Sequence, residues 1–245
     1  MTSVEARPVA DVGLPAVVEA CLFDLDGVLT NTATAHARAW KWMFDEYLRG
    51  RDGPAFVPFA VDADYLAFVD GKARNEGVRS FLRSRGIELA DDIVVALGER
   101  KNRLVLDLLR RYGVETYPGS TAYVRAARAS GLHCAVVSSS ANCREVLEAA
   151  GIEDLFEARV DAVVAAERGL RGKPAPDTFL AAAEMLDVEP GAAAVFEDSL
   201  AGVEAGRAGR FAYVVGVDRV GNGPQLLACG ADAIVADLAE LIADR

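Results

Sequence analysis

Short apolar, β-branched runs recur along this chain, and stretches with helical spacing lie between them. Val17–Phe23, His133–Val137, Ala193–Phe196, Phe211–Val215 and Ala233–Val235 read as strands, with a weaker one at Arg159–Val163. The runs are apolar throughout rather than alternating, as strands covered on both faces are. Ala141–Ala150, Asp177–Leu186 and Leu200–Ala208 read as helices between the later strands. That rhythm predicts a doubly wound α/β fold with a parallel sheet, whose sites sit at the carboxyl ends of the strands.

One interval breaks the rhythm. About 110 residues separate the first strand from the run HCAVVSSS, far more than a βα connection needs. Ala35–Leu48, Gly77–Arg85 and Asp91–Arg111 are helical in pattern, the last with Leu97, Leu104 and Leu108 on one face, while Arg49–Phe59 reads as a loop. The expectation is an α/β core made of residues 1–34 and 114–245, with a helical cap subdomain at 35–113. Inserted directly after the first strand, the cap would lie over the strand ends as a lid.

At 245 residues, 52% hydrophobic and 26% charged, the chain has the length and composition of a globular protein with a sizeable core. A net charge of -11 argues against general affinity for nucleic acid or anionic membranes. Cys21, Cys134, Cys143 and Cys229 are scattered, with no C-x-x-C pair, so buried free thiols are expected rather than disulfides or zinc ligands. Residues 1–15 do not read as a leader, and no apolar stretch is long enough to span a bilayer. A cytoplasmic protein, monomeric or weakly dimeric, is the expectation.

The candidate chemistry lies at four strand ends. In CLFDLDGVLTNT a short strand delivers Asp24 and Asp26 into a glycine turn. Two crowded carboxylates repel each other and resist desolvation, and a divalent metal is the simplest relief, leaving one oxygen free to attack an electrophile such as phosphorus. Two solvated aspartates at a strand end are the plainer alternative. In VVSSSANCREV, Ser138, Ser139 and Asn142 stand at a helix start, where hydroxyls and free N–H groups suit anion binding, although capping alone accounts for them. In RGKPAPDTF, Pro174 and Pro176 stiffen the chain around Lys173, which reads either as a positioned cation or as a surface lysine. In AAAVFEDSLAG, a buried strand runs into Glu197 and Asp198, which supply further hard oxygen ligands for Mg²⁺ or, for Asp198, a helix cap.

In this order the motifs resemble those of the haloacid dehalogenase superfamily, from about Ala20 to Ala208. Within it the chain is similar to the β-phosphoglucomutase-like branch. Phe23 to Val28, Thr30, Thr32, His36, Ala39 and Trp40 follow that branch's first motif, and Gly71 to Arg74 and Lys101-Asn102 stand where its cap carries G-x-x-R and KN. The resemblance implies that Asp24 is the nucleophile, becoming an aspartyl phosphate, and that Asp26 is the general acid–base. Ser138 and Lys173 would hold the transferring phosphoryl oxygens, assisted by backbone N–H groups near Asp26 and Ser139. Asp24, the Asp26 carbonyl and Asp198 would hold Mg²⁺, with Glu197 a ligand or one water removed. Arg74 would grip a second phosphate, and Lys101, His36, Asn142, Gly71 and Trp40 would line the cleft. For Trp40 and Trp42, packing within the first cap helix is the favoured reading over ligand contact.

The implied activity is Mg²⁺-dependent phosphoryl transfer on a small phosphosugar, ending in a mutase or a phosphatase. A phospho-receiver module would share acidic pairs, a lysine and Mg²⁺, but an inserted lid would obstruct its partner. No G-x-G-x-x-G follows the first strand, which argues against a dinucleotide enzyme. Halide displacement needs no acid–base partner such as Asp26 beside the nucleophile.

Overall fold

A computed structural model describes residues 12–242. The leader reading at residues 1–15 falls mostly outside them, as do residues 243–245 of the expected core. Six strands form one sheet: β1 Ala20–Phe23, β2 His133–Val137, β3 Ala158–Val160, β4 Ala193–Glu197, β5 Tyr213–Val217 and β6 Ala233–Val235. All neighbours are parallel, in the order β3-β2-β1-β4-β5-β6. The chain order reverses beside β1, which opens a crevice at the carboxyl ends of β1 and β4. Register sets Phe23 against both Val136 and Phe196, so the residues that follow these three emerge side by side.

Helices cover both faces, as the unbroken apolar strands require. On one face Cys21 and Phe23 pack with Tyr123 and Val124 of α4 (Pro118–Ala129) and with Val146 and Leu147 of α5 (Cys143–Ala150). On the other, Leu22 and Val195 meet Phe179 of α7 (Asp177–Met185) and Val203 of α8 (Leu200–Ala208). All four cysteines are free thiols, three of them buried. No helix among the described residues is long and apolar enough to cross a membrane.

The long interval after β1 is helical: α1 Ala33–Asp52, a π-helix Val61–Val69, α2 Arg74–Ser84 and α3 Asp91–Tyr112. These elements bury an apolar cluster of their own around Trp40, Phe44, Phe59, Val78 and Phe81. Phe81 is fully buried, with ring centroids 4.3 Å from Phe44 and 4.9 Å from Phe59. The strands of chain that leave and re-enter the sheet run side by side: Asn31 N–H donates to Glu115 O at 2.8 Å, and Tyr117 N–H to Leu29 O at 3.0 Å.

Several expected boundaries move, each for a local reason. β1 begins at Ala20, because Val17 is more than half exposed and contributes nothing to the sheet. α1 runs past Leu48 through Arg49–Asp52, where Arg49 and Arg51 face the negative end of the helix dipole, and stops at Gly53 with φ 60°. The segment expected as loop therefore starts as helix. β3 ends at Val160, since Asp161 caps a further helix, α6 (Ala162–Arg168), by accepting from the N–H groups of Val163 and Val164. β5 is displaced to Tyr213–Val217; Phe211 packs instead on Phe179, and Gly216 leaves room for Ile234, whose Cδ1 would lie 2.5 Å from a Cβ there. The π-helix, α4, α6 and α9 (Gly223–Cys229) were not among the expected elements.

Replacing Phe81 by Ala should cost about 3–5 kcal/mol, since a ring is lost from a closed aromatic cluster. Urea unfolding followed by far-ultraviolet circular dichroism should show a lowered midpoint. A change under about 1 kcal/mol would mean that this cluster does not hold the helices together.

Candidate active site

Three buried strands end at one point, and their terminal residues meet there. Asp24 follows β1, Ser138 follows β2, and Glu197 is the last residue of β4, with Asp198 next. Lys173 arrives from the loop before α7 and is almost wholly buried. Its Nζ lies 2.5 Å from Asp24 Oδ1 and 2.5 Å from Glu197 Oε1, and it also donates to Val137 O at 3.1 Å. Lys173 is thus no surface lysine. Glu197 Oε2 accepts from the N–H and hydroxyl of Ser199, at 3.1 and 2.9 Å.

Asp24, Glu197 and Asp198 offer carboxylate oxygens within 4.8 Å of one another. Two glycines make that approach possible. A Cβ on Gly27 (φ +98°) would lie 1.8 Å from Asp198 Oδ2, and one on Gly202 would lie 1.8 Å from Glu197 Oε1. Burial pushes the carboxyls of Asp24 and Asp198 well above the usual range, and neighbouring carboxylates push the same way. Burial works against the Lys173 ammonium, but Asp24 and Glu197 outweigh it and hold its pKa above that of an ordinary lysine. Three carboxylates facing one ammonium leave a double negative charge, and hard oxygen donors with that charge fit a divalent cation such as Mg²⁺.

Asp26 stands apart from this group. Its Oδ1 accepts from the Thr32 hydroxyl in a short bond and lies 3.7 Å from His36 Nε2. His36 Nδ1 is in turn 3.1 Å from Lys101 Nζ, which sits 4.7 Å over the Trp40 ring. Burial, with Lys101 beside it, lowers His36 to about 4, and burial lowers Lys101 to about 7 with Arg74 adding to the effect. A polar file therefore leads from Asp26 at the sheet into the helical insertion. Trp40 is buried beside the cleft, whereas Trp42 is half exposed and is not the packing residue its position suggests.

These residues line a cleft of about 400 Å³ between the strand ends and the insertion. Ser138, Ser139, Asn142, Gly71, Arg74 and Lys101 all reach it. Ser138 Oγ accepts from Ser140 N–H, which leaves its hydroxyl proton to donate. Ser139 Oγ donates to Gly71 O at 2.7 Å, and Asn142 Nδ2 to Asn102 Oδ1 at 2.9 Å, so both join sheet to insertion. Arg74 pairs with Glu99 at 2.8 Å. The residues singled out for the site line this cleft, apart from Lys173 and Glu197, which are buried and join it through the Lys173–Asp24 pair. Tyr65, Asp70 and Thr178 line it too and were missed. Asp70 is adjacent to Gly71 and in principle readable, but Tyr65 lies on a π-helix, which has no periodic sequence signature.

A family model described as haloacid dehalogenase-like hydrolase matches residues 18–210. A β-phosphoglucomutase of Mycobacterium bovis is 54% identical, covering 94% of each chain. One of Bacillus subtilis is 36% identical, over 91% of this chain and 92% of its own. The crystal structure of a β-phosphoglucomutase from Clostridium difficile superposes with a TM-score of 0.74 at 26% identity, covering 91% of this chain and 93% of that one. The carboxylate cluster at the switch point, the buried lysine and these matches agree: this chain belongs to the haloacid dehalogenase-like hydrolases, in their β-phosphoglucomutase-like branch, and is an enzyme of the phosphotransferase and phosphatase class.

Proposed function

We propose that the protein moves a phosphoryl group on a small phosphosugar, in the manner of a β-phosphoglucomutase, through an aspartyl phosphate on Asp24. The observation that carries this reading is the pairing of Asp24 with Lys173 at 2.5 Å inside the carboxylate group, while Asp26 turns away toward His36. This difference in surroundings supports reading Asp24 as the attacking group and Asp26 as the proton-transfer group. The near full-length likeness to the Mycobacterium bovis mutase supports the same reading.

Asp24, Asp198 and the Asp26 carbonyl hold Mg²⁺ in this scheme, with Glu197 a ligand or one water removed. An ion bound by these residues would supply positive charge to offset that of the phosphoryl oxygens. Asp24 attacks phosphorus with one carboxylate oxygen, and the bond from phosphorus to the sugar oxygen breaks. Asp26 gives its proton to the departing oxygen and takes one from the hydroxyl that attacks the aspartyl phosphate next. Lys173 and the Ser138 hydroxyl bind the equatorial oxygens, where negative charge gathers in the transition state. Ser139 and its backbone N–H stand beside them. We place residues 35–113 as the cap that closes over this chemistry and excludes water. Within it Arg74 exchanges Glu99 for the substrate's second phosphate, and Lys101, His36, Trp40, Gly71 and Asn142 complete the pocket. The implied partner is a small phosphorylated metabolite, and the protein works in the cytoplasm as a monomer or weak homodimer.

With Mg²⁺, β-glucose 1-phosphate and a trace of the 1,6-bisphosphate, the enzyme should form glucose 6-phosphate. Asp24→Asn should abolish turnover and leave the circular dichroism spectrum unchanged. Inorganic phosphate without glucose 6-phosphate would instead make the protein a phosphatase. Arg74→Ala should raise KM for the sugar phosphate at least tenfold and affect acetyl phosphate far less; equal loss on both would remove the second phosphate from Arg74. Lys101 bears its charge below about pH 7 in the free enzyme and loses it as pH rises through that value. Accordingly kcat/KM should fall above about pH 7, and Lys101→Arg, which stays charged, should extend the plateau to higher pH. An unaltered profile would show that the Lys101 charge does not bind substrate.

A further inference from the structure

Asp70 is a carboxylate in the part of the cleft that should repel one. It ends the π-helix Val61–Val69, where its N–H donates to Tyr65 O at 3.0 Å, and both residues line the cleft. The wide π turn thus stacks the two side chains at one spot. The next residue fixes that spot against the sheet. Gly71 O accepts from Ser139, and a Cβ on Gly71 (φ +68°) would come within 2.2 Å of Ser199 Oγ. Asp70 is therefore pinned directly over the second and fourth motifs. Tyr65 and Asp70 line the same cleft as Asp24, Asp26 and Asp198, so both face the phosphoryl-transfer site from the insertion side.

From this placement we propose that Asp70, beside Tyr65, selects the substrate by accepting hydrogen bonds from hydroxyls of the sugar ring; this rests on the phosphosugar reading above. In the proposed scheme phosphates are met by cations: Lys173 at the transferring group and Arg74 at the far one. Burial and the neighbouring Glu197 push the Asp70 carboxyl up to about 7, and in its ionised form it accepts hydrogen bonds, which suits hydroxyl donors rather than phosphate oxygens. Nor does Asp70 belong to the cation cluster, since the carboxylates close enough to share an ion among the described residues are Asp24, Glu197 and Asp198. What remains for it is a neutral donor, and a sugar ring held between two phosphates presents several. With the backbone held at Gly71 by Ser139, the Asp70 side chain stays at the cleft wall. A site that hydrogen-bonds a hydroxyl discriminates strongly against ligands lacking it, because its own polar atoms are then left unpaired.

The test compares β-glucose 1-phosphate with acetyl phosphate, a phosphoryl donor without a ring, in the wild type and in Asp70→Ala, Asp70→Asn and Tyr65→Phe. Asp70→Ala should lower kcat/KM for the sugar phosphate tenfold to a hundredfold, with a much smaller loss on acetyl phosphate and no change in the Mg²⁺ concentration giving half-maximal rate. Tyr65→Phe should fall between wild type and Asp70→Ala. Monodeoxy analogues of glucose 1-phosphate should each be compared in wild type and variant; the analogue lacking the contacted hydroxyl should be penalised in the wild type and not further in Asp70→Ala. Asp70→Asn keeps the side-chain shape and serves if the alanine variant does not fold. Equal loss on both donors, a raised Mg²⁺ requirement, or no loss on the sugar would each overturn the assignment to hydroxyls while leaving the proposed function standing. A wild type active on acetyl phosphate and inert toward sugar phosphates would overturn both.

Discussion

The ion triplet of Asp24, Lys173 and Glu197 is the constraint around which this molecule is arranged. Moving ions out of water costs several kcal/mol each, and attraction offsets that cost only where geometry and remaining hydrogen bonds are good. Here Lys173 has two carboxylates at 2.5 Å and a backbone carbonyl, and Glu197 gives its second oxygen to Ser199. Satisfying these groups demands that three strands end at the same level. The register that sets Phe23 between Val136 and Phe196 provides it. The lysine offsets only one of the three carboxylates Asp24, Glu197 and Asp198, a donor set that fits a divalent ion.

Space matters as much as charge. Gly27 and Gly202 lack side chains at the two places where carboxylate oxygens would otherwise collide with them. The opposite solution governs Asp26, which Thr32 and His36 draw out of the cluster. Two aspartates one residue apart thus occupy different surroundings: one among anions and a fixed ammonium, the other at the head of a file running through His36 to Lys101. Such separation of environments sets apart the protonation behaviour of two like groups.

Much of this was legible in the sequence, and what was not has physical reasons. Strands apolar on both faces announce a covered parallel sheet, and residues that follow them must lie at its carboxyl edge, so Asp24, Ser138, Glu197 and Asp198 were readable from position alone. Lys173 was readable because two prolines flank it. The helix α6 was obscured by its β-branched start, Ala162-Val163-Val164, although Asp161 ahead of it is a proper cap. Tyr65 and Asp70 were hidden more deeply. A π-helix has neither period 3.6 nor period 2, so no pattern places their side chains on a common face. Trp42 shows the reverse failure: its size suggests a core, yet it lies two positions from both Trp40 and Phe44, on the opposite face of the helix from the one they bury.

The paired chain segments beneath the insertion have a wider implication. Because Asn31 is bonded to Glu115 and Leu29 to Tyr117, the whole helical unit departs and returns through a gap one strand spacing wide. The sheet registers only that narrow doorway, not what is housed beyond it. Any compact segment whose two ends meet at such a distance could be exchanged there without disturbing a ladder bond, leaving the reaction chemistry intact while the clientele changes.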